Sequence, residues 1–150
     1  GDLLVVDCGA RVGGYHADMT RTFVVGRDPE PWQADLHTAV EEAQSGAMAA
    51  YRAGAHARDI DGVARGLLTQ AGLGERFTHG LGHGVGLEIH AAPMGGARST
   101  GTLGAAMVIT VEPGAYLPGR GGVRIEDTLV VSDAAPRVLT EAPRGLRVVG

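Results

Sequence analysis

The sequence is poor in cysteine, in long apolar runs and in positive charge, and each shortage excludes a class of protein. Its single cysteine, Cys8, permits neither an internal disulfide framework nor a cysteine-based zinc site, and we expect it to be a small buried residue. No apolar run approaches the ~20 residues of a membrane-spanning helix. The net charge of −4 argues against nucleic acid or an anionic membrane as the main partner. With no signal peptide or lipidation motif found, we expect a cytoplasmic protein.

Glycine, in contrast, is abundant, with 25 residues in 150, which is more than twice the average usage of ~7%. Because glycine allows close backbone approach and tight turns, this excess predicts many hairpins or a site whose walls are backbone. A hydrophobic content of 44% and a charged content of 20% are typical of one globular domain with a core. The chain opens on Gly1 rather than methionine, and an apolar strand begins at Leu3, so we expect a segment of a longer protein.

Hydrophobic periodicity and turn residues predict a hairpin, two helices and then several antiparallel strands, an order typical of α+β proteins. Asp59 is the expected cap of the second helix, in which Val63, Leu67 and Leu68 are expected to face inward. Residues 91–104 are predicted to be a loop, and no element is predicted for 134–150. The predicted helices are Trp32–Arg52 and Ile60–Ala71, and the predicted strands are Leu3–Val6, Tyr15–Val25, Val85–Ile89, Met107–Val111 and Val123–Val131.

The first predicted hairpin brings two aspartates together. Asp7 and Asp18 are directly opposite if the turn is centred between Val12 and Gly13, and a turn centred one residue later is also allowed. Like charges placed opposite each other are destabilising unless they share a proton or a cation. The pair therefore favours a site that holds one or the other.

The second predicted hairpin repeats this arrangement with two glutamates. Glu112 and Glu126 are equally distant from Gly119, the middle of a Pro-Gly-Arg turn, and Pro113 keeps Glu112 extended. Arg124 and Glu126 share one strand face, with Ile125 on the other. Two acidic pairs in one small domain favour a cation site over two solvated strand edges.

Three histidines, His79, His83 and His90, fall within one glycine-rich stretch. The first two are four residues apart, as in a helical zinc site, but the alternating glycines forbid a helix and no glutamate follows His79. The glycines also fail the dinucleotide-binding pattern, since Val85 occupies the place of its third glycine. His83 and His90 can reach one site only if the strand bends or ends, which glycine permits.

The four carboxylates and one imidazole form an oxygen-rich ligand set that suits two divalent ions such as manganese, cobalt or zinc. Two ions ~3.5–4 Å apart are the usual arrangement for activating water against an amide. We expect the remaining histidines, His16, His37 and His56, to be surface or structural residues. His16 is the exception to watch, because it shares a strand face with Asp18.

Five sequence blocks, in order, resemble the signatures of the pita-bread metallopeptidases, the family that includes Xaa-Pro dipeptidases and methionine aminopeptidases. The blocks are Asp7-Cys8-Gly9, Asp18-Met19-Thr20-Arg21-Thr22, the stretch His79–Leu87, Glu112-Pro113-Gly114 and Arg124-Ile125-Glu126-Asp127. They look closer to prolidases and aminopeptidase P than to methionine aminopeptidases. The resemblance implies an α+β pita-bread fold, in which helices cover an antiparallel sheet. Residues 1–150 would form a partial catalytic domain that lacks its N-terminal part.

The resemblance also implies a set of metal ligands. Asp7 would bind one ion, and Asp18 and Glu126 would bridge the two ions. His83 and Glu112 would complete the second site. The expected cofactors are thus two divalent ions, with manganese as the first choice and cobalt or zinc as alternatives.

Catalytic and substrate-binding roles follow from the same resemblance. His79 and His90 would line the substrate site, and His90 would help to polarise the scissile carbonyl. Glu112 would carry the proton to the leaving nitrogen after attack by a metal-bridged hydroxide. Arg124 would act as a substrate-binding or supporting cation. Asp127 is a weaker candidate, which we expect to be a strand-end acid.

The expected activity is hydrolysis of Xaa-Pro bonds in small peptides. The sequence does not decide whether the chain forms a homodimer or whether the isolated segment is active. The alternatives are a methionine aminopeptidase and a metal-free binding module of the same fold. A di-iron oxidase is excluded because it needs Glu-x-x-His motifs on helices, and none occurs. One departure from the prolidase pattern concerns the substrate rim, where Ala91 follows the third histidine in place of an acid.

Overall fold

In the computed structural model, which describes residues 1–150, two helices pack against the β-structure. The helices are Pro31–Ala50 (α1) and Ala57–Gln70 (α2), and a 3₁₀ turn at Gly74–Arg76 follows α2. The strands are Leu3–Cys8 (β1), Arg11–Val12 (β2), Tyr15–His16 (β3), Met19–Val25 (β4), Gly82–Gly84 (β5), Ala91–Gly95 (β6), Val108–Val111 (β7), Gly114–Leu117 (β8), Gly121–Arg124 (β9), Asp127–Val130 (β10), Arg137–Val138 (β11) and Arg147–Val149 (β12). Neither helix combines the length and the apolar character needed to cross a membrane.

The strands form two larger sheets and two small hairpins. One sheet has the order β1-β4-β12, in which β1 is antiparallel and β12 parallel to β4. The other has the order β11-β10-β7-β5-β6 and is antiparallel throughout. The hairpins are β2–β3 and β8–β9. This arrangement confirms the predicted α+β class.

Helix α1 follows its sequence pattern closely. Pro31 occupies the first turn, and the Glu30 and Gln33 side chains form a reciprocal capping box. The predicted apolar stripe is buried at Leu36 and Val40 and continues through Ala43 and Ala47. The helix thus presents small and branched side chains to the sheet beneath it.

Helix α2 departs from the prediction at its start and in its phase. The cap is His56, not Asp59, which lies in the first turn. Val63, predicted to face inward, is 37% exposed, whereas Ile60 and Ala64 are buried. Leu68 is buried as predicted. The inward face is therefore offset from the predicted one.

The predicted strand Val85–Ile89 is wrong, and the predicted loop 91–104 is wrong at residues 91–95, which form a strand. Strand β5 ends at Gly84, residues 86–90 form bends, and Leu87 is 65% exposed. The chain then returns as β6 beside β5. A Cβ atom at Gly82 would overlap the Thr110 carbonyl oxygen, so β5 can occupy its place between two strands only with glycine there.

The two acidic hairpins differ in how well their register was predicted. In the first, Asp7 pairs with Thr20 rather than Asp18, which is the register of a turn centred one residue later. Gly13 and Gly14 form its tip, both with positive φ. In the second, Gly114 pairs with Arg124, so the turn is centred on Gly119 as predicted.

Candidate metal centre

Most of the candidate ligands lie at strand ends, along the line where the two larger sheets meet. Asp18 precedes β4, Glu112 follows β7 and Glu126 precedes β10, whereas His83 lies within β5. An isolated backbone bridge between Thr20 and Glu126 joins the two sheets. We call this line the seam. Because both sheets end here, side chains from each can converge on one point.

Three of the candidate residues form a compact cluster. Asp18, His83 and Glu126 offer ligand atoms that all lie within 4.8 Å of one another. The Nε2 atom of His83 lies 3.6 Å from Asp18 Oδ2 and 3.3 Å from Glu112 Oε1. These separations leave room for a cation at usual ligand distances of about 2.0–2.2 Å.

The orientation of His83 suits a metal ligand. Its Nδ1 atom lies 3.1 Å from the Gly84 carbonyl oxygen, which can only accept a hydrogen bond. In the neutral ring the proton is therefore on Nδ1, and the lone pair of Nε2 faces the carboxylates. A backbone hydrogen bond of this kind is the usual way in which a protein fixes the tautomer of a metal-binding histidine.

Burial and mutual repulsion make the free carboxylates unfavourable. Burial, reinforced by Glu112, raises the pKa of Glu126 to about 8. Burial is also the main cause that raises the pKa of Glu112 to about 7. The pKa of Asp18 is raised by burial and by the neighbouring Asp7. Such a cluster must hold protons or a cation, and oxygen atoms with one imidazole fit a divalent metal.

Asp7 lies beside this cluster but outside its closest group. Its carboxylate, about half exposed, accepts a hydrogen bond of 2.6 Å from Arg124 Nη2. Arg124 Nε also donates to Thr20 Oγ1 at 3.3 Å, and that hydroxyl donates to Glu126 Oε2 at 2.6 Å. A chain of hydrogen bonds therefore connects Asp7 to Glu126.

The other two histidines of the glycine-rich stretch lie on the open side of the cluster. The bend after β5 brings the His90 ring against His83, with ring centroids 4.5 Å apart. His79 Nε2 lies 3.0 Å from the hydroxyl oxygen of Tyr116, which also accepts a hydrogen bond from Arg124 Nη1. His79 is thus tied to the same network as the carboxylates.

A cleft of about 520 Å³ opens beside His79. Its walls include Phe77, against which the His79 ring packs edge-on, and the exposed Met94 and Arg98. Burial lowers the pKa of His79, so its ring is neutral at pH 7. A cleft of this size suits a small ligand.

Sequence reasoning missed three residues and misjudged one. Thr20 and Arg21 lie in a quoted sequence block, but no role was assigned to either, and nothing in the sequence pointed to Tyr116. For Thr20 and Arg21, the available signal was their position just after Asp18 within that block. Cys8, predicted to be buried, is exposed instead.

Two sheets packed against helices gather carboxylates and an imidazole at the seam, and this donor set fits a divalent metal. Residues 1–133 match the family model described as metallopeptidase family M24. The chain therefore belongs to the M24 metallopeptidases, and its fold is the pita-bread fold that its sequence predicted.

The chain is similar to several proteins of known name. It is 44% identical over 146 residues to the Xaa-Pro dipeptidase of Pyrococcus furiosus, a match that covers 97% of the chain and 42% of that protein. The crystal structure of X-Pro aminopeptidase from Thermotoga maritima superposes with a TM-score of 0.94 at 40% identity, covering 98% of the chain and 42% of that structure. The His350Ala variant of Escherichia coli aminopeptidase P is more distant, with 28% identity and a TM-score of 0.81 over 94% and 38% of the two chains.

The chain thus spans about 42% of the length of the Pyrococcus furiosus relative. Nearly all of the chain is matched, so the candidate metal centre lies within the shared part.

Proposed function

We propose that this chain supplies the metal centre and part of the substrate cleft of a peptidase that hydrolyses Xaa-Pro bonds in small peptides. The carboxylate–imidazole cluster of Asp18, His83 and Glu126 carries the proposal. The similarity to an Xaa-Pro dipeptidase over 97% of the chain supports the choice of substrate. On this proposal the 150 residues are one part of a catalytic domain.

Each ligand has a role in the proposed centre. Asp18 and Glu126, whose carboxylates approach from the two sheets, would be shared by the two divalent ions. His83 and Glu112, whose Nε2 and Oε1 atoms are 3.3 Å apart, would be further ligands, and so would Asp7. The hydrogen bond from Arg124 holds the Asp7 carboxylate in orientation. Manganese is the metal we propose, with cobalt or zinc as alternatives.

Two divalent ions held there supply a water ionised near neutral pH and positive charge for the carbonyl oxygen. The protein's own groups handle the proton and the substrate. The Glu112 carboxylate accepts the proton that the attacking water loses and passes it to the amide nitrogen as the bond breaks.

The histidines would orient the substrate. His90 lies against His83 and donates a hydrogen bond to the carbonyl oxygen as negative charge develops there. His79, neutral at pH 7 and bound to Tyr116, lines the cleft that would hold the remainder of the peptide. Arg124 keeps Asp7, Thr20 and the Tyr116 hydroxyl in place through its hydrogen bonds to all three.

A substrate panel tests the proposal. The full-length polypeptide that contains these residues should cleave Gly-Pro-type peptides after loading with manganese and should leave Met-Ala intact. Cleavage of Met-Ala without Xaa-Pro cleavage would move the assignment to a methionine aminopeptidase. No hydrolysis and no bound metal would favour a binding module of the same fold. Measuring the isolated 150 residues in parallel shows whether they are active alone.

A further inference from the structure

The seam that carries the candidate ligands is held by few backbone contacts. Strands β4 and β10 belong to different sheets, so no continuous hydrogen-bond ladder fixes the distance between them. The Glu126 amide donates to the Thr20 carbonyl at 3.0 Å, and the Thr128 hydroxyl donates to the Asp18 carbonyl at 2.8 Å. A metal centre shared by both sheets needs a more rigid connection, because its ligands must stay within about 0.5 Å of their positions.

Arg21 supplies that connection from the side opposite to the cluster. Its Nη1 atom donates to the Thr20 carbonyl at 2.8 Å and to the Glu126 carbonyl at 2.6 Å. The side chain is only 3% exposed. One guanidinium nitrogen therefore holds the backbone carbonyls of Thr20 and Glu126, the two residues that form the backbone bridge between the sheets. The side chains of these two residues are hydrogen-bonded to each other.

The remaining guanidinium N–H groups bind the C-terminal segment and its anchor. Nη2 donates to Asp127 Oδ1 and to the Ala142 carbonyl, both at 2.6 Å, and Nε donates to the Pro143 carbonyl at 3.0 Å. All five N–H donors of the guanidinium thus have an acceptor. A guanidinium whose donors all bind protein acceptors holds one fixed position, unlike a charged side chain that is hydrated at the surface.

The C-terminal segment is itself fixed to this cluster. Asp127 is fully buried, and its Oδ2 atom accepts hydrogen bonds from Arg144 at 2.5 Å and from Gln44 of α1 at 3.0 Å. Strand β12 then pairs in parallel with β4. The segment lies outside residues 1–133, which are the part matched by the family model.

We propose that Arg21 is a positioning residue for the metal centre and that residues 142–149 are part of that centre's scaffold. The inference rests on the proposed metal centre, and it names the group that keeps Thr20 and Glu126 in register. Arginine is required because lysine has three donors and no planar fork. A lysine side chain at this position could keep the charge beside Asp127 but not the bonds to both sheets.

Three variants of the full-length polypeptide test this. Arg21→Lys and Arg144→Gln each remove part of the clamp that Arg21, Asp127 and Arg144 form. Arg137→Gln is the control, because Arg137 is an exposed arginine of the preceding strand β11, outside the proposed scaffold, and has no ion pair. Manganese affinity is measured by calorimetric titration, and the visible absorption spectrum is recorded at saturating cobalt.

We expect Arg21→Lys and Arg144→Gln to weaken manganese binding by about 10- to 100-fold, with an altered cobalt spectrum, while the control keeps wild-type values. A residue that only stabilises the fold would lower the melting temperature and leave the saturated cobalt spectrum unchanged. Wild-type affinity and spectrum in both clamp variants would overturn the inference while leaving the proposed function intact. Absence of metal binding in the wild type would instead contradict the proposed function itself.

A measurement on the unmodified protein decides the matter if a clamp variant does not fold. Coupling between two sites is reciprocal, so metal binding should slow amide hydrogen exchange in residues 144–149. We expect this slowing to exceed that in helix α2, which does not contact the clamp. Equal or smaller protection of the segment would contradict the inference.

Discussion

At the scale of single residues, burial and mutual repulsion both disfavour the ionised carboxylates of the acidic cluster. Glu126 is 1% exposed and Glu112 is mostly buried, yet both lie near Asp18 and Asp7. In the metal-free protein their raised pKa values mean that the cluster takes up protons near neutral pH. Metal ions would displace those protons, so metal affinity should increase as the pH rises through this range.

The first prediction concerns the pH dependence of stability without metal. The folded-state pKa values of about 7 for Glu112 and about 8 for Glu126 lie above the ordinary glutamate value of 4.5. Between these limits the folded state binds more protons than the unfolded state, so the free energy of unfolding falls as the pH rises. We expect a decrease of a few kcal/mol between about pH 5 and 8.5, since each pKa unit corresponds to about 1.4 kcal/mol.

Urea unfolding in the presence of a chelator measures this, with Glu126→Gln as the comparison. The variant cannot ionise at this position and should retain much more of its stability at the alkaline end of the range. A wild-type protein whose metal-free stability rises over this range would contradict the account of the cluster.

The residue scale also shows what sequence could and could not predict. Asp18, His83 and Glu126 were all proposed from acid pairing, glycine pattern and resemblance, and the structure brings them together. The opposition of Asp7 and Asp18 was wrong because the register depends on two positive-φ glycines at the hairpin tip. Tyr116 and Arg21 could not be assigned because their partners are distant in sequence.

At the scale of elements, the local signals were reliable where one segment determines its own structure. Helix α1 begins at Pro31, one residue from its predicted start, where a proline and a capping box begin it, and the second hairpin turns at Gly119, as predicted. Strand β6 was missed because Ala91, Ala92 and Pro93 show no alternation of apolar and polar residues. It exists as an edge strand through pairing with β5, and an edge is where proline is tolerated. Strand β12 likewise depends on a distant partner.

The second prediction tests the need for glycine in β5. Gly82→Ala would drive a Cβ atom into the Thr110 carbonyl oxygen and force strands β5 and β7 apart. We expect destabilisation of about 1–3 kcal/mol or more, together with weaker metal binding, because His83 is the next residue. Gly86→Ala is the matched control, since a Cβ atom added there would have no atom within 4 Å. Equal stability of the two variants would contradict this packing argument.

The third prediction concerns helix α2, which contains glycine at an open interior position. Gly62 is exposed, and a Cβ atom there would meet nothing within 4 Å. Gly62→Ala should raise the free energy of unfolding by about 0.5–1 kcal/mol because alanine loses less backbone entropy on folding. Thermal and urea unfolding report the change. A destabilised variant would indicate that this face of α2 makes contacts beyond these 150 residues.

At the scale of the whole molecule, the two sheets contribute different candidate ligands to one cluster. The three-stranded sheet provides Asp7 and Asp18, and the five-stranded sheet provides His83, Glu112 and Glu126, either within its strands or at their ends. Sequence analysis predicted the α+β class and the family from motifs, but the meeting of two sheets is a tertiary feature without a local signal. The centre is therefore expected to assemble only when both sheets are formed.

The most direct test of this account is the metal content of the full-length polypeptide. We predict about two manganese ions bound for each chain, and loss of both in Asp18→Ala and Glu126→Ala, because each removed carboxylate is proposed to bridge the pair. Asp133→Ala, which removes an exposed aspartate away from the cluster, should retain both ions. A wild type that binds no metal, or bridging variants that keep both ions, would contradict the proposed centre.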